Sequence, residues 1–253
     1  MSYHLTIEIC DFGARFVALR DERSVNQHSI VFPSPKIEVQ KALLVETFAT
    51  TSFLQDDFDE TTLSWSHRNS TLVPNTIFAE SSAVEIFKLC FGERTSQDDI
   101  DYNRISELSI VNVFEIPVWI KSFFVIKFPR IILQHEGTHI IRKSLDSNAF
   151  KLKASIAMYN DHCFLALTKH NELHFYSYFD VQTAEDVVYH TLFVLQQKEV
   201  LNESGTIELI EGVGIENNLL DSVKAQFARI QDLKKMNVVV NSDYISKSQL
   251  LCV

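Results

Sequence analysis

One short pattern, written twice, constrains this chain more than anything else in it. Residues 5–9, Leu-Thr-Ile-Glu-Ile, alternate apolar and polar side chains, the period of a strand with one face buried. A tight turn at Asp11-Phe12-Gly13 leads into residues 15–19, and the polar run Asp21-Glu22-Arg23-Ser24 leads into a third strand near 27–32. Pro33-Ser34-Pro35 ends this meander. The same order returns at 152–157, a turn at Asn160-Asp161, 163–167, a turn at His170-Asn171-Glu172, and 173–179. Phe16-Val-Ala-Leu19 matches Phe164-Leu-Ala-Leu167. Each meander then runs into apolar residues at helical spacing, over 38–53 and over 184–198. Thr183 is placed to cap the second helix, with Asp186 three residues on, where its charge also favours the helix N-terminus. Two copies of one meander-plus-helix unit point to an internal duplication.

The remaining elements fit that plan. The first copy continues with short strands at 63–67 and 71–73, a helix at 82–91, a strand at 109–116 and a helix after Pro117, a residue suited to a first turn. The second adds a strand at 206–210 and a helix at 217–230, and residues 242–253 read as a strand or a loose tail. With six glycines and five prolines there is no flexible linker, so the two lobes, 1–143 and 144–253, are expected to be closely coupled. Each lobe would carry three antiparallel strands followed by parallel ones, a mixed five-stranded sheet with helices packed around it. That is the ribonuclease-H-like unit, and its duplication gives the α/β actin-like ATPase fold.

Composition removes several function classes. The formal charge is −10, and basic residues are grouped only in small pairs such as Lys234-Lys235, which argues against nucleic acid as a partner. The most apolar stretch, 110–133, is broken by Glu115, Pro117, Lys121, Lys127, Pro129 and Arg130 and cannot span a bilayer without burying charge. The first ten residues alternate as a strand does, unlike a signal peptide. Four cysteines without a CxxC pair fit a reducing, cytoplasmic setting. Cys10 and Cys163 lie in strand-like runs, where a buried thiol acts as a small hydrophobe.

The opening Leu-Thr-Ile-Glu-Ile-Cys, Ser70-Thr-Leu-Val-Pro74 followed by Ile77-Phe78, Val111-Asn-Val-Phe-Glu-Ile-Pro117, residues 135–145 and residues 179–195 together resemble an uncharacterised bacterial family assigned the actin-like ATPase (ASKHA) fold. The resemblance implies a fold and not an activity. Actin-like ATPases cradle phosphates on glycine-containing turns that open each lobe, because backbone without a Cβ can approach the phosphates and present its N–H groups. The first such turn typically reads D-x-G-T/S, and here Asp11-Phe12-Gly13-Ala14 keeps the acid and the glycine and loses the hydroxyl. The turn matching the second loop, Tyr159-Asn160-Asp161-His162, has no glycine and carries a carboxylate. The adenosine-side turn keeps Gly212 and Gly214 within Leu209-Ile-Glu-Gly-Val-Gly-Ile215. A site for Mg-ATP or Mg-ADP would therefore rest on Asp11, Gly13, Gly212 and Gly214, the remains of a degenerate nucleotide site.

One other string invites a metal. His135-Glu136-Gly137-Thr138-His139 is a literal H-E-x-x-H, which on a helix sets two imidazoles on zinc with the glutamate as base. Against that reading, residues 131–134 look like a strand, so that His135 falls where strand gives way to helix, and Gly137 weakens a helix by about 1 kcal/mol relative to Ala. A third ligand is open among His162, Glu172 and His174. Without zinc, a short helix begins near Thr138, turns Ile140, Ile141 and Leu145 inward and ends at Asp146-Ser147-Asn148. The acidic runs Asp56-Asp57, Asp59-Glu60 and Asp98-Asp99-Asp101 read as solvated loops, since calcium-loop spacing is absent. The sequence thus points to a non-catalytic, actin-like scaffold or interaction protein of the bacterial cytoplasm. It has no assigned catalytic or metal-binding residue, no expected cofactor and a protein as partner. The alternatives are a nucleotide-binding switch with ATP or ADP held between the lobes, and a zinc hydrolase using His135, Glu136 and His139.

Overall fold

The computed structural model describes residues 2–146 and 150–252. The chain divides into two compact units, Met1–His139 with Ser246–Val253, and Ile140–Ile245. In the first, β1 (Tyr3–Cys10), β2 (Gly13–Arg20) and β3 (Arg23–Val31) form the meander, followed by α1 (Ile37–Thr50), β4 (Glu60–Trp65), β5 (Ser70–Pro74), α2 (Ala83–Phe91), β6 (Ile100–Ile105), β7 (Ile110–Glu115), α3 (Val118–Lys127) and β8 (Ile132–His135). Helix α4 (Glu136–Asp146) contains the division between units. The second unit holds β9 (Leu152–Met158), β10 (His162–Lys169), β11 (Glu172–Asp180), α5 (Ala184–Gln197), β12 (Gly205–Glu211), α6 (Asn217–Arg229) and β13 (Met236–Asn241), and α7 (Tyr244–Ser248) follows.

The duplication is plain in the sheets. Their orders are β3-β2-β1-β4-β8 and β11-β10-β9-β12-β13, so each meander lies beside two further strands. Strand β4 runs parallel to β1 and β8, and β12 runs parallel to β9 and β13. This is the mixed five-stranded ribonuclease-H-like arrangement expected for both lobes. Thr183 caps α5 as its sequence suggests: its hydroxyl accepts the Asp186 N–H at 3.3 Å while Asp186 accepts the Thr183 N–H at 2.9 Å.

Several stretches differ from the sequence reading. Strand β13 has no counterpart in it. In the run Asp59-Glu60, read as a solvated loop, Asp59 accepts the Tyr3 N–H at 2.8 Å and Glu60 opens β4. Strands β5, β7 and β6 leave the main sheet and form a small antiparallel one of their own. The run Asp98-Asp99-Asp101 is not a free solvated loop. Asp99 Oδ1 accepts the Val118 N–H at 2.6 Å and so closes the start of α3, while Asp101 lies in β6 and pairs with Lys121 at 3.7 Å. The segment after β13 is a helix with a 3-10 turn at Gln249–Cys252, neither strand nor loose tail. Of the proposed end of α4, Asp146 is the last helical residue, and Ser147 and Asn148 lie outside the described residues.

Packing explains the last of these differences. One face of the first sheet carries Leu5, Ile7, Ile9, Phe16, Leu63 and Trp65 against Leu44 and Phe48 of α1 and Ile120 and Phe124 of α3. On the other face, His4, Thr6 and Glu8 of β1, Thr62 and Ser64 of β4 and Arg15 of β2 are polar, with Val17 and Leu19 of β2 beside them. Arg15, Glu8 and Ser64 stand side by side across β2, β1 and β4, yet they are only 6%, 4% and 1% exposed. A buried polar face is tolerable only if partners reach it. The segment after β13 provides them for Glu8 and Thr62, while Ser64 Oγ makes no hydrogen bond. Ser246 donates to Glu8 Oε1 at 2.5 Å, Gln249 Nε2 donates to the Ile7 carbonyl at 3.3 Å, and Gln249 Oε1 accepts the Thr62 hydroxyl at 2.7 Å. Arg15 completes the set at 3.5 Å from Glu8.

Removing one partner from such a face leaves a desolvated group behind, at about 1–3 kcal/mol. Ser246→Ala and Gln249→Ala are each expected to lower stability by that amount in urea unfolding. Leu251→Ala, at a position 40% exposed, should stay within about 0.5 kcal/mol of the parent.

Candidate functional site

In open α/β sheets, ligands gather beyond the carboxyl ends of the parallel strands. In the first unit those ends carry the β1–β2 turn and the residues after β4 and β8. The turn itself is Asp11-Phe12, with Asp11 exposed and Gly13 already the first residue of β2. Gly13 has a reason to be glycine that involves no phosphate. A Cβ there would lie 2.2 Å from the Ile30 carbonyl oxygen, because β2 and β3 pair directly at Gly13 and Val31. The Phe12 N–H, one of the donors a phosphate would need, points instead at Cys10 Sγ at 3.4 Å. Burial pushes the Cys10 thiol up to about 12, with the Phe12 and Gly13 amides partly opposing that and Glu136 and Asp11 adding to it. The thiol is an inert acceptor at neutral pH.

Beside this turn lies a cluster that the sequence reading missed. His67 stacks on Trp65, with ring centres 5.9 Å apart, and its Nδ1 is 4.0 Å from Glu115 Oε2. Asn69 Nδ2 donates to the same carboxylate at 2.8 Å. Burial holds the His67 pKa below the usual imidazole value, against the pull of Asp11 and Glu115. His67 and Glu115 are 48 positions apart and their pairing depends on β7 belonging to a separate sheet, so no local spacing announced them.

The H-E-x-x-H string sits at the junction of β8 and α4, and its chemistry there is structural. His135 precedes the first residue of α4, and its Nδ1 accepts the Gly137 N–H at 3.0 Å, the bond of a helix N-cap. Its Nε2 lies 2.8 Å from the His67 carbonyl oxygen and donates to it. Asn103 Oδ1 also takes the His135 backbone N–H at 2.7 Å. With both ring nitrogens engaged, His135 has no lone pair to give zinc, which corrects the metalloprotease reading of His135, Glu136 and His139. Among the described residues no three His, Cys, Asp or Glu side chains are grouped to hold a metal ion. His162, Glu172 and His174, the open choices for a third ligand, belong to the second unit.

In the second unit the corresponding turn is filled by its own side chains. Tyr159 is 2% exposed and stacks on His162, with ring centres 4.6 Å apart and planes within 12°. His162 Nδ1 lies 2.6 Å from Asp161 Oδ1. The Tyr159 ring also lies against Gly212, where a Cβ would sit 2.7 Å from that ring and 2.4 Å from the Met158 carbonyl oxygen. Gly214 has φ +75°, a left-handed conformation that favours glycine. Asn160 then ties this loop to the turn. Its Nδ2 donates to the Gly214 carbonyl at 3.0 Å and its Oδ1 accepts the Glu216 N–H at 3.0 Å. Glu216 is the N-cap of α6, so an amide that an anion would seek at this helix start already has an acceptor. A depression of about 450 Å³ opens beside Asn160, and Glu185 and Glu216 are among its walls.

A family model described as "Protein of unknown function (DUF3822)" matches residues 1–230. The chain belongs to that family. No curated protein matches this DUF3822 member in sequence. Among solved structures it is similar to a Bacteroides thetaiotaomicron protein with actin-like ATPase fold and unknown function, at TM-score 0.77 and 16% identity, covering 100% of this chain and 96% of that one. It is also similar to a chain of the PilM–PilN type IV pilus biogenesis complex, at TM-score 0.58 and 10% identity, covering 98% of each. Identities this low carry the fold alone, and the fold of this DUF3822 chain is the actin-like ATPase fold. Among the described residues no helix is long and apolar enough to cross a membrane.

The structural duties of these turns can be measured. Gly13→Ala and Gly212→Ala must displace backbone or a packed ring, and each is expected to cost about 1–3 kcal/mol in urea unfolding. Asn160→Ala removes the cap on Glu216 and should cost about 1 kcal/mol. Asp11→Ala, which removes an exposed carboxylate, should stay within about 0.5 kcal/mol of the parent.

Proposed function

We propose that this chain is a non-catalytic, actin-like scaffold that acts by binding another protein, with its former nucleotide loops converted into structural turns. The observation that carries the reading is the second-unit turn. Tyr159 packs on Gly212, and Asn160 spans from the turn to the start of α6. A triphosphate bound on this loop would have to displace the Asn160 amide from Glu216 and face the carboxylates of Glu185 and Glu216 nearby. Both changes oppose a ligand of high negative charge, through a lost hydrogen bond and through repulsion from two exposed carboxylates.

The first-unit turn supports the same reading. Gly13 is accounted for by the Ile30 carbonyl and the Phe12 N–H by Cys10, so neither requires a phosphate to explain it. Without preorganised donors on both turns, transfer of a phosphoryl group loses the electrostatic stabilisation on which such catalysis depends. One of the structures similar to this chain was solved as a complex of two proteins, PilM–PilN, and that likeness favours a protein as partner here. Cys10 and Cys163 are buried thiols, which suits a cytoplasmic setting.

Thermal unfolding with millimolar Mg-ATP or Mg-ADP tests the proposal. A ligand at 100 times its Kd stabilises by about 2.7 kcal/mol, a shift of several degrees for a chain of this size. The expected result is no shift with either nucleotide. A stabilisation that disappears in Gly214→Val would overturn the proposal and restore a nucleotide switch using Asp11, Gly13, Gly212 and Gly214.

A further inference from the structure

The duplicated plan gives each main sheet an equivalent last strand, β8 in the first unit and β13 in the second. The two are finished differently. Between β4 and β8 the first unit inserts its small sheet, and that insertion closes the edge. Asn103 of β6 accepts the His135 N–H at 2.7 Å and donates to the Leu133 carbonyl at 3.4 Å. Between β12 and β13 the second unit has only α6 and a 3-10 turn, and β12 is the single strand beside β13.

The ladder shows which groups that leaves. The Lys235 carbonyl accepts the Gly205 N–H at 3.2 Å, and the parallel register runs without a shift from Gly205–Met236 to Ile210–Asn241. On either strand of a parallel pair, every second residue turns both its backbone groups to the neighbour. Asn237, Val239 and Asn241 therefore face β12, and the N–H and C=O groups of Met236, Val238 and Val240 face away from it. Among the described residues no hydrogen bond is made on that side.

Outer strands are ordinarily guarded by charge, proline or a bulge. β3 carries Arg23 beside a register shift at Ala18/Leu19, and β11 carries Glu172 and Asp180 beside one at Leu167/Thr168. β13, Met-Asn-Val-Val-Val-Asn, has none of these guards, and Val240 is 40% exposed. Its flanks select what covers it. Lys234 and Lys235 precede the strand and Asp243 follows it. Antiparallel pairing of two copies sets the basic end of each beside the acidic end of the other. β11, acidic at both ends, would set like charges together.

We infer that β13 pairs antiparallel with β13 of a second copy of this chain, about a twofold axis at Val238. Met236 then faces Val240 and Val238 faces Val238, so every outward residue meets another, as hydrogen-bonded antiparallel pairs require. The two five-stranded sheets become one continuous sheet, and a twofold contact of this kind closes on itself. The dimer makes no use of the nucleotide turns or of the proposed scaffold role.

Sedimentation equilibrium of the full chain, from about 5 to about 500 µM, tests the pairing. A one-strand seam is small, so the expected Kd is on the order of 100 µM. Val240→Pro removes an outward N–H and no bond to β12, a change that edge strands accept. It should keep the far-ultraviolet circular dichroism of the parent and weaken the dimer about tenfold or more. A second reading needs no variant. Amide hydrogen exchange at Met236, Val238 and Val240 should slow at the higher concentration, and exchange at Val239 should not change. Exchange independent of concentration, or a dimer that Val240→Pro leaves as tight, would overturn the inference. A chain monomeric throughout would also overturn it, and would leave this edge to a strand of another protein.

Discussion

The architecture of the first unit depends on a buried polar face. β1 places Leu5, Ile7 and Ile9 on one side and His4, Thr6 and Glu8 on the other, and both sides are closed to solvent. The apolar side can be covered by any helix with an apolar stripe, and α1 and α3 do so. The polar side needs particular partners, because an unpaired carboxylate or hydroxyl in that position would cost more than most single contacts return. Ser246 and Gln249 meet that need from nearly the other end of the chain. The last residues therefore belong with the first strand, although 242 positions separate Gln249 from Ile7.

That dependence also explains how much of the molecule could be read from its sequence. Both meanders, the capped start of α5 and the doubled plan were legible because strand alternation, turn residues and capping pairs act over a few positions. The polar alternates of β1 were legible as a pattern, but the same pattern ordinarily marks a solvated face, and only Ser246 and Gln249 reveal it as interior. Strand β13, Met-Asn-Val-Val-Val-Asn, has no alternation to identify it and is set by its pairing with β12. The excursion of β5, β6 and β7 into their own sheet, which brings His67 to Glu115, is likewise a long-range choice.

The candidate site shows the same division. Sequence identified Asp11, Gly13, Gly212 and Gly214 as the residues to examine, and they do stand at turns beyond strand ends. What it could not show is why the glycines are there. Gly13 clears the Ile30 carbonyl and Gly212 clears Tyr159, contacts made by residues 17 and 53 positions away. The H-E-x-x-H string is the converse case: a strong local motif whose first histidine is consumed as a helix cap. Spacing supplied the ligands, and a strand-to-helix junction used them for something else.

If the turns serve only the fold, their backbone amides report it directly. In ¹⁵N-labelled protein, the amide resonances of Phe12, Gly212 and Glu216 should not move as Mg-ATP is added to several millimolar, because Cys10, Met158 and Asn160 already hold those N–H groups. Saturable shifts at these three amides would contradict it and show that the turns still bind phosphate.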